Sequence, residues 1–175
     1  RLGVVLKGED IVLLLKLTGV GPQWTVRTLE RETTIPKSVV QRSLKRLGQA
    51  GLFDRRRRTA NISQAEEFLI HGLKYVFPAS FNGESRGFAT AWAAEPLVDR
   101  LAAPSDDVPP VWPSAHGDTR GLALEPLHLS VVEAIGQDPL LREQLALIDA
   151  IRIGDARIRG LAADLLTERL ARMPT

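Results

Sequence analysis

Two groups of side chains early in the chain have the types and spacing for chemistry, and that chemistry is the recognition of a polyanion. Lys37, Ser38, Gln41, Arg42 and Lys45 recur at intervals that place them on one side of a helix. Lysine and arginine neutralise phosphate or reach guanine, glutamine can pair bidentately with adenine, and serine can contact either. A helix fits the major groove of duplex DNA, so a helix with this side free would meet base edges and phosphates together. Further on, Arg55, Arg56, Arg57 and Arg58 form an unbroken cationic run. Such a loop can lie on flanking backbone or enter a narrow minor groove. Taken singly, the run reads as a solvated loop and the helix face as a polar surface. In this order they point to double-stranded DNA as the partner.

Other chemistries find little support. With no cysteine in the chain, disulfides, thiolate nucleophiles and cysteine-ligated metals are excluded. His71, His116 and His128 are far apart, and none has the spacing of a zinc-binding helix. No P-loop or G-x-G-x-x-G occurs. Asp106 and Asp107 are adjacent carboxylates in a segment that reads as a flexible loop, where neither would be held for acid–base work. The expectation is a protein without enzymatic activity, cofactor or metal.

The elements that must position these residues follow from composition and pattern. The chain has 175 residues, 44% of them hydrophobic, enough for one domain or two small ones. The longest apolar run, residues 11–15, is bounded by Asp10 and Lys16, far short of the ~18 residues of a membrane span. Glu9 and Asp10 in front of it also make a poor signal peptide, so a cytoplasmic protein without membrane contact is expected. Charge divides along the chain: residues 1–75 hold 14 Lys and Arg against 7 Asp and Glu, whereas the remainder holds 9 against 14. A basic half beside an acidic one suggests a polyanion-binding module joined to a module that binds a partner protein, or two halves that attract each other.

The basic half reads as helices closed by a hairpin. Ile11, Val12, Leu14, Leu15 and Leu17 predict a first helix, and Gly19 to Pro22 end it. Thr25 caps a second through Glu32. A third, from Pro36 or Lys37 to about Ala50, turns Val39, Ser43, Leu44 and Leu47 inward, and Gly51 stops it. Leu52, Phe53 and Asp54 lead into the arginines, and residues 59–62 return as a second strand. The capping box from Ser63 to Glu66 opens a helix whose inward side is Ala65, Phe68, Leu69, Leu73 and Val76.

Residues 77–129 hold seven of the 11 prolines together with Trp92 and Trp112, which predicts an ordered but irregular connector, flexible from Ala103 to Pro110. An internal echo pairs Arg86-Gly87-Phe88-Ala89 and Glu95-Pro96-Leu97 with Arg120-Gly121-Leu122-Ala123 and Glu125-Pro126-Leu127. It suggests two related extended segments, with Arg86 and Arg120 paired to Glu95 and Glu125 or holding an anionic ligand. Helix returns after residue 130. Ser130 to Glu133 is a capping box, and Asp138-Pro139 opens a helix with Leu141, Leu145, Ile148 and Ile151 or Arg152 along one stripe. Asp149 and Arg152 should form a surface ion pair. Asp155 recaps a last helix bearing Ile158, Leu161, Ala162, Leu165, Leu166 and Leu170. This helical hairpin needs an apolar surface, in the same chain or in a second copy.

The fold expected is therefore mainly α with a small β-wing. A winged helix-turn-helix spans residues 1–76, a Pro-rich irregular connector 77–129, and a C-terminal helical hairpin 130–175. From Ile35-Pro36-Lys37-Ser38-Val39 through Leu44-Lys45-Arg46-Leu47 to Ala50-Gly51-Leu52, the chain resembles winged-helix transcription regulators of the MarR type, and its Pro-Lys-Ser-Val opening is also similar to the IclR type. The likeness covers about residues 9–75; the short wing and the C-terminal part depart from the MarR pattern. It implies a homodimeric repressor on a pseudo-palindromic operator, with Lys37, Ser38, Gln41, Arg42 and Lys45 in the groove. The alternative is an antitoxin-like or adaptor protein that holds a partner through its acidic C-terminal half.

Overall fold

Five consecutive apolar residues leave a helix no polar side to give to water, and residues 11–15 are fully buried. They form the middle of α1 (Gly8–Thr18). The computed structural model describes residues 3–101 and 108–172, and about half of the chain is helical. Two helices, α2 (Val26–Thr33) and α3 (Lys37–Gln49), pack against α1. Thr25 caps α2 as expected, its hydroxyl accepting the Thr28 N–H at 3.1 Å. In α3 the buried residues are Val40, Ser43 and Leu47, at i, i+3 and i+7, with Val39 and Leu44 half-buried. The inward face is thus centred near Val40 rather than Val39. Gly51 follows α3 with φ of 79°, a left-handed conformation that suits glycine.

A two-stranded antiparallel hairpin, β1 (Phe53–Asp54) with β2 (Thr59–Ala60), comes next. The helix after it starts at Ile62, not Ser63: α4 (Ile62–Glu67) has Asn61 as its N-cap, and the expected capping box does not form. Residues Phe68–Gly72 widen into a π turn before α5 (Leu73–Val76). A π turn inserts an extra residue into the helical repeat, so Leu69 and Leu73 stay inside while Val76 rotates out to 52% exposure.

The expected irregular connector is instead built around a sheet. β3 (Phe81–Ala89), β4 (Pro110–Pro113) and β5 (Thr119–Leu124) each pair with the other two, closing a ring. The two echo segments are β3 and β5, paired antiparallel with Arg86 opposite Arg120. The pairings expected for them do not form: Arg120 meets Glu84 at 3.6 Å, and Arg86 meets no carboxylate among the described residues. A ring this tight brings backbones together; a Cβ at Gly87 would strike the Trp112 carbonyl and one at Gly121 the Pro109 carbonyl. Most of the segment expected to be flexible, with Asp106 and Asp107, lies outside the described residues.

Beyond the sheet, α6 (Val131–Ala134) lacks the expected capping box, because the Ser130 hydroxyl lies 2.8 Å from His128 Nδ1 instead. α7 (Pro139–Ile153) begins as expected, with the Asp138 carboxylate accepting the Leu141 N–H at 3.0 Å. It is buried on nearly every side rather than along one stripe. Asp155 caps α8 (Ala156–Ala171), which lies against α7. The hairpin finds its apolar surface in its own chain, α7 on α1 and α8 on α4, and one buried cluster runs from Ile11 to Leu170. Among the described residues no helix is long and apolar enough to cross a membrane.

The Asp149–Arg152 pair is not at the surface. Its side chains are 3% and 4% exposed and 3.0 Å apart. The carboxylate also accepts from the Thr90 hydroxyl at 2.8 Å and the Trp112 indole at 2.9 Å, joining α7 to the sheet. Burial pushes the Asp149 carboxyl up, opposed by Arg152 and these donors. Arg152 in turn donates to the Phe77 carbonyl at 2.9 Å, tying the end of α5 to the same node. Arg152→Met leaves the carboxylate buried without its cation and should cost about 3–5 kcal/mol in urea unfolding. A loss under about 1 kcal/mol would mean that the pair is not a structural node.

Candidate nucleic-acid interface

The turn between α2 and α3 is stiff. Thr34 ends α2 in the left-handed region, φ of 60°, and its N–H donates to the Glu30 carbonyl at 2.9 Å. Ile35 plugs the core beneath it. The Glu30 carboxylate accepts the Lys37 N–H at 3.0 Å, satisfying one of the free donors at the start of α3. The rotation of α3 is set by Arg46, which the sequence pattern had not singled out. Its guanidinium grips fully buried Asp10 with two 2.8 Å hydrogen bonds, from Nε and Nη2, and approaches Glu9 at 3.5 Å. A bidentate pair of this kind fixes direction as well as distance.

With Val40, Ser43 and Leu47 inside, Lys37, Ser38, Gln41, Arg42 and Lys45 all come out exposed on one face of α3. Lys37, Arg42 and Lys45 have no carboxylate within ion-pair distance among the described residues. The arginine run forms the tight turn of the β1–β2 hairpin. Arg58 N–H closes it on the Asp54 carbonyl at 2.8 Å, while the Asp54 carboxylate accepts the N–H groups of Arg56 at 2.8 Å and Arg57 at 3.0 Å. All four arginines are exposed to some degree, but their roles differ.

Arg55 lies along the end of α3, its Cδ 3.4 Å from where a Cβ on Gly48 would stand. Arg55 therefore packs beside the last turn of α3. The Arg56 side chain has no carboxylate within ion-pair distance among the described residues, and Arg57 is 83% exposed with Nε 3.9 Å from Asp54. Arg58 instead turns back onto Trp24, its guanidinium carbon 4.1 Å from the ring centroid and its Nη2 donating to the Trp24 carbonyl. The sequence could place Arg58 in the run but not foresee this partner, 34 residues earlier.

No family model matches the chain, and no curated protein or solved structure matches it either. Among the described residues no group of three or more His, Asp or Glu could hold a metal ion.

The backbone N–H groups of Arg57 and then Arg56 hold the Asp54 carboxyl below its ordinary value of 3.8. A carboxylate lowered in the folded state contributes order above its ordinary value and loses it as pH falls through the lowered one. A carbon-13 NMR titration of the Asp54 carboxyl should therefore show a midpoint below 3.8, with the Arg56 and Arg57 amide signals moving in step. A midpoint at or above 3.8 would show that the carboxylate does not order the turn.

Proposed function

We propose that the protein binds double-stranded DNA as a winged helix-turn-helix, with α3 in the major groove and the arginine turn as the wing on neighbouring backbone or in the minor groove. The observation that carries this reading is the exposure of the α3 cations together with the arginine turn, whose Arg55 packs beside the last turn of α3 at Gly48. Exposed cations of this kind attract a polyanion and release its counterions on binding. The order of helix, turn, helix and hairpin, and the resemblance to MarR-type regulators, support the same reading.

In this reading Lys37, Lys45, Arg55, Arg56 and Arg57 supply affinity through phosphate, while Ser38, Gln41 and Arg42 supply sequence preference. A homodimer would set two copies of α3 one turn of duplex apart, about 34 Å, on a pseudo-palindromic site. Occupancy of such a site near a promoter would repress transcription.

A second reading has one observation in its favour. Glu95, Asp118 and Glu143 line a cleft of about 460 Å³ on the acidic half. Three carboxylates around one cleft suit a basic partner protein.

Fluorescence-anisotropy titrations at several salt concentrations separate the roles. Lys45→Ala should weaken binding to every duplex and lower the salt slope by about one unit. Gln41→Ala should leave the slope unchanged and relax preference at one base position, at about 1–3 kcal/mol for that base. Equal losses on all sequences without a change of slope would contradict both assignments.

A further inference from the structure

Arg58 and Trp24 hold each other reciprocally, and this pair sits at the root of the arginine turn. The Trp24 indole N–H donates to the Arg58 carbonyl at 2.7 Å, while the Arg58 guanidinium donates to the Trp24 carbonyl and, through Nε at 3.3 Å, to the Pro22 carbonyl. The same guanidinium is stacked on the indole face. Trp24 is 7% exposed and rests on Phe53 of β1, with ring centroids 6.0 Å apart. Arg58 itself has φ of 61°, a backbone state that a non-glycine residue holds only where its surroundings enforce it. Nε and Nη2 of Arg58 are thus committed to backbone carbonyls and one face of the guanidinium to the ring.

From this geometry we infer that Trp24 and Arg58 are positioning residues for the proposed DNA interface: they lock the turn so that Arg55, Arg56 and Arg57 face phosphate. The inference rests on the DNA-binding reading for its consequence but not for its mechanism. The lock also runs from the turn to the segment of residues 22–24 that leads into α2, so the hairpin and the α2–α3 pair keep one spacing. Lysine cannot replace arginine here. A single ammonium on a flexible stem cannot stack on the ring while reaching both carbonyls, although it carries the same charge.

That difference supplies the test. In Arg58→Lys, with no DNA present, amide exchange at Arg56, Arg57 and Arg58 should quicken by about tenfold, as local opening of the turn becomes easier. Binding to a short mixed-sequence duplex should weaken several-fold although no charge is lost. Trp24→Phe, checked for folding by its thermal melt, removes the indole N–H without touching any charge and should loosen the turn in the same way. Arg57→Gln should do the opposite: exchange unchanged, salt slope lowered by about one unit. Exchange and duplex binding at wild-type levels in Arg58→Lys would overturn the proposal, since Arg58 would then act only as a charge. If Arg58→Lys loosened the turn but the wild-type protein bound no duplex, the lock would be supported and the DNA-binding reading would fall.

Discussion

The structure depends on one constraint: α1 is buried from Asp10 to Thr18, and no charge in that stretch can be left without a partner. Asp10 and Lys16 flank its apolar centre and are 0% and 8% exposed. An unpaired ion in such a place is costly, and only a well-formed pair removes that cost. Asp10 takes Arg46 and so fixes α3; Lys16 takes Asp138 at 2.7 Å and Glu32 at 2.8 Å, and so fixes the start of α7 and the end of α2. Burial alone would lower the Lys16 pKa, but its two carboxylate partners outweigh that and hold it above its usual value. Two charges on one helix thus set the directions of three others.

The same constraint sorts the cations of the basic half. Those that serve the fold are paired with carboxylates, as Lys16 and Arg46 are, or engaged with backbone and ring, as Arg58 is. Those left on α3 and on the arginine turn point outward together. No buried side-chain nitrogen or oxygen lacks a hydrogen-bond partner among the described residues, which agrees with a framework in which polar groups inside are satisfied. Attraction between the basic and acidic halves is also present, since Lys16 and Asp138 come from opposite sides of the charge division. It accounts for part of the asymmetry, but it leaves the free face of α3 untouched.

Much of this was legible in the sequence where the signal is local. The caps at Thr25, Asp138 and Asp155, the glycine after α3 and the outward placement of Lys37 to Lys45 follow from spacing and backbone preference within a few residues. What was not legible depends on distant partners. Asp149 and Arg152 at i and i+3 look like a surface pair until Thr90 and Trp112, 59 and 37 residues away in sequence, close over the carboxylate. The echo around Arg86 and Arg120 announced two extended segments, but pairing them into a ring needs close backbone approach at Gly87 and Gly121 that no local pattern encodes. The π turn after Glu67 likewise yields to tertiary packing, which is why Val76 faces water. At the candidate interface, Arg58 read as one of four equivalent arginines because its partner Trp24 precedes α2.

The central claim, that the exposed face of α3 and the arginine turn are where duplex DNA sits, is tested most directly by mapping contact residue by residue. A nitrogen-15 NMR titration of the whole chain with a short duplex should shift the amides of residues 37–45 and 55–57 together and leave those around Glu95, Asp118 and Glu143 in place. Shifts centred on the acidic cleft, or no shifts at a duplex concentration well above that of the protein, would contradict the account.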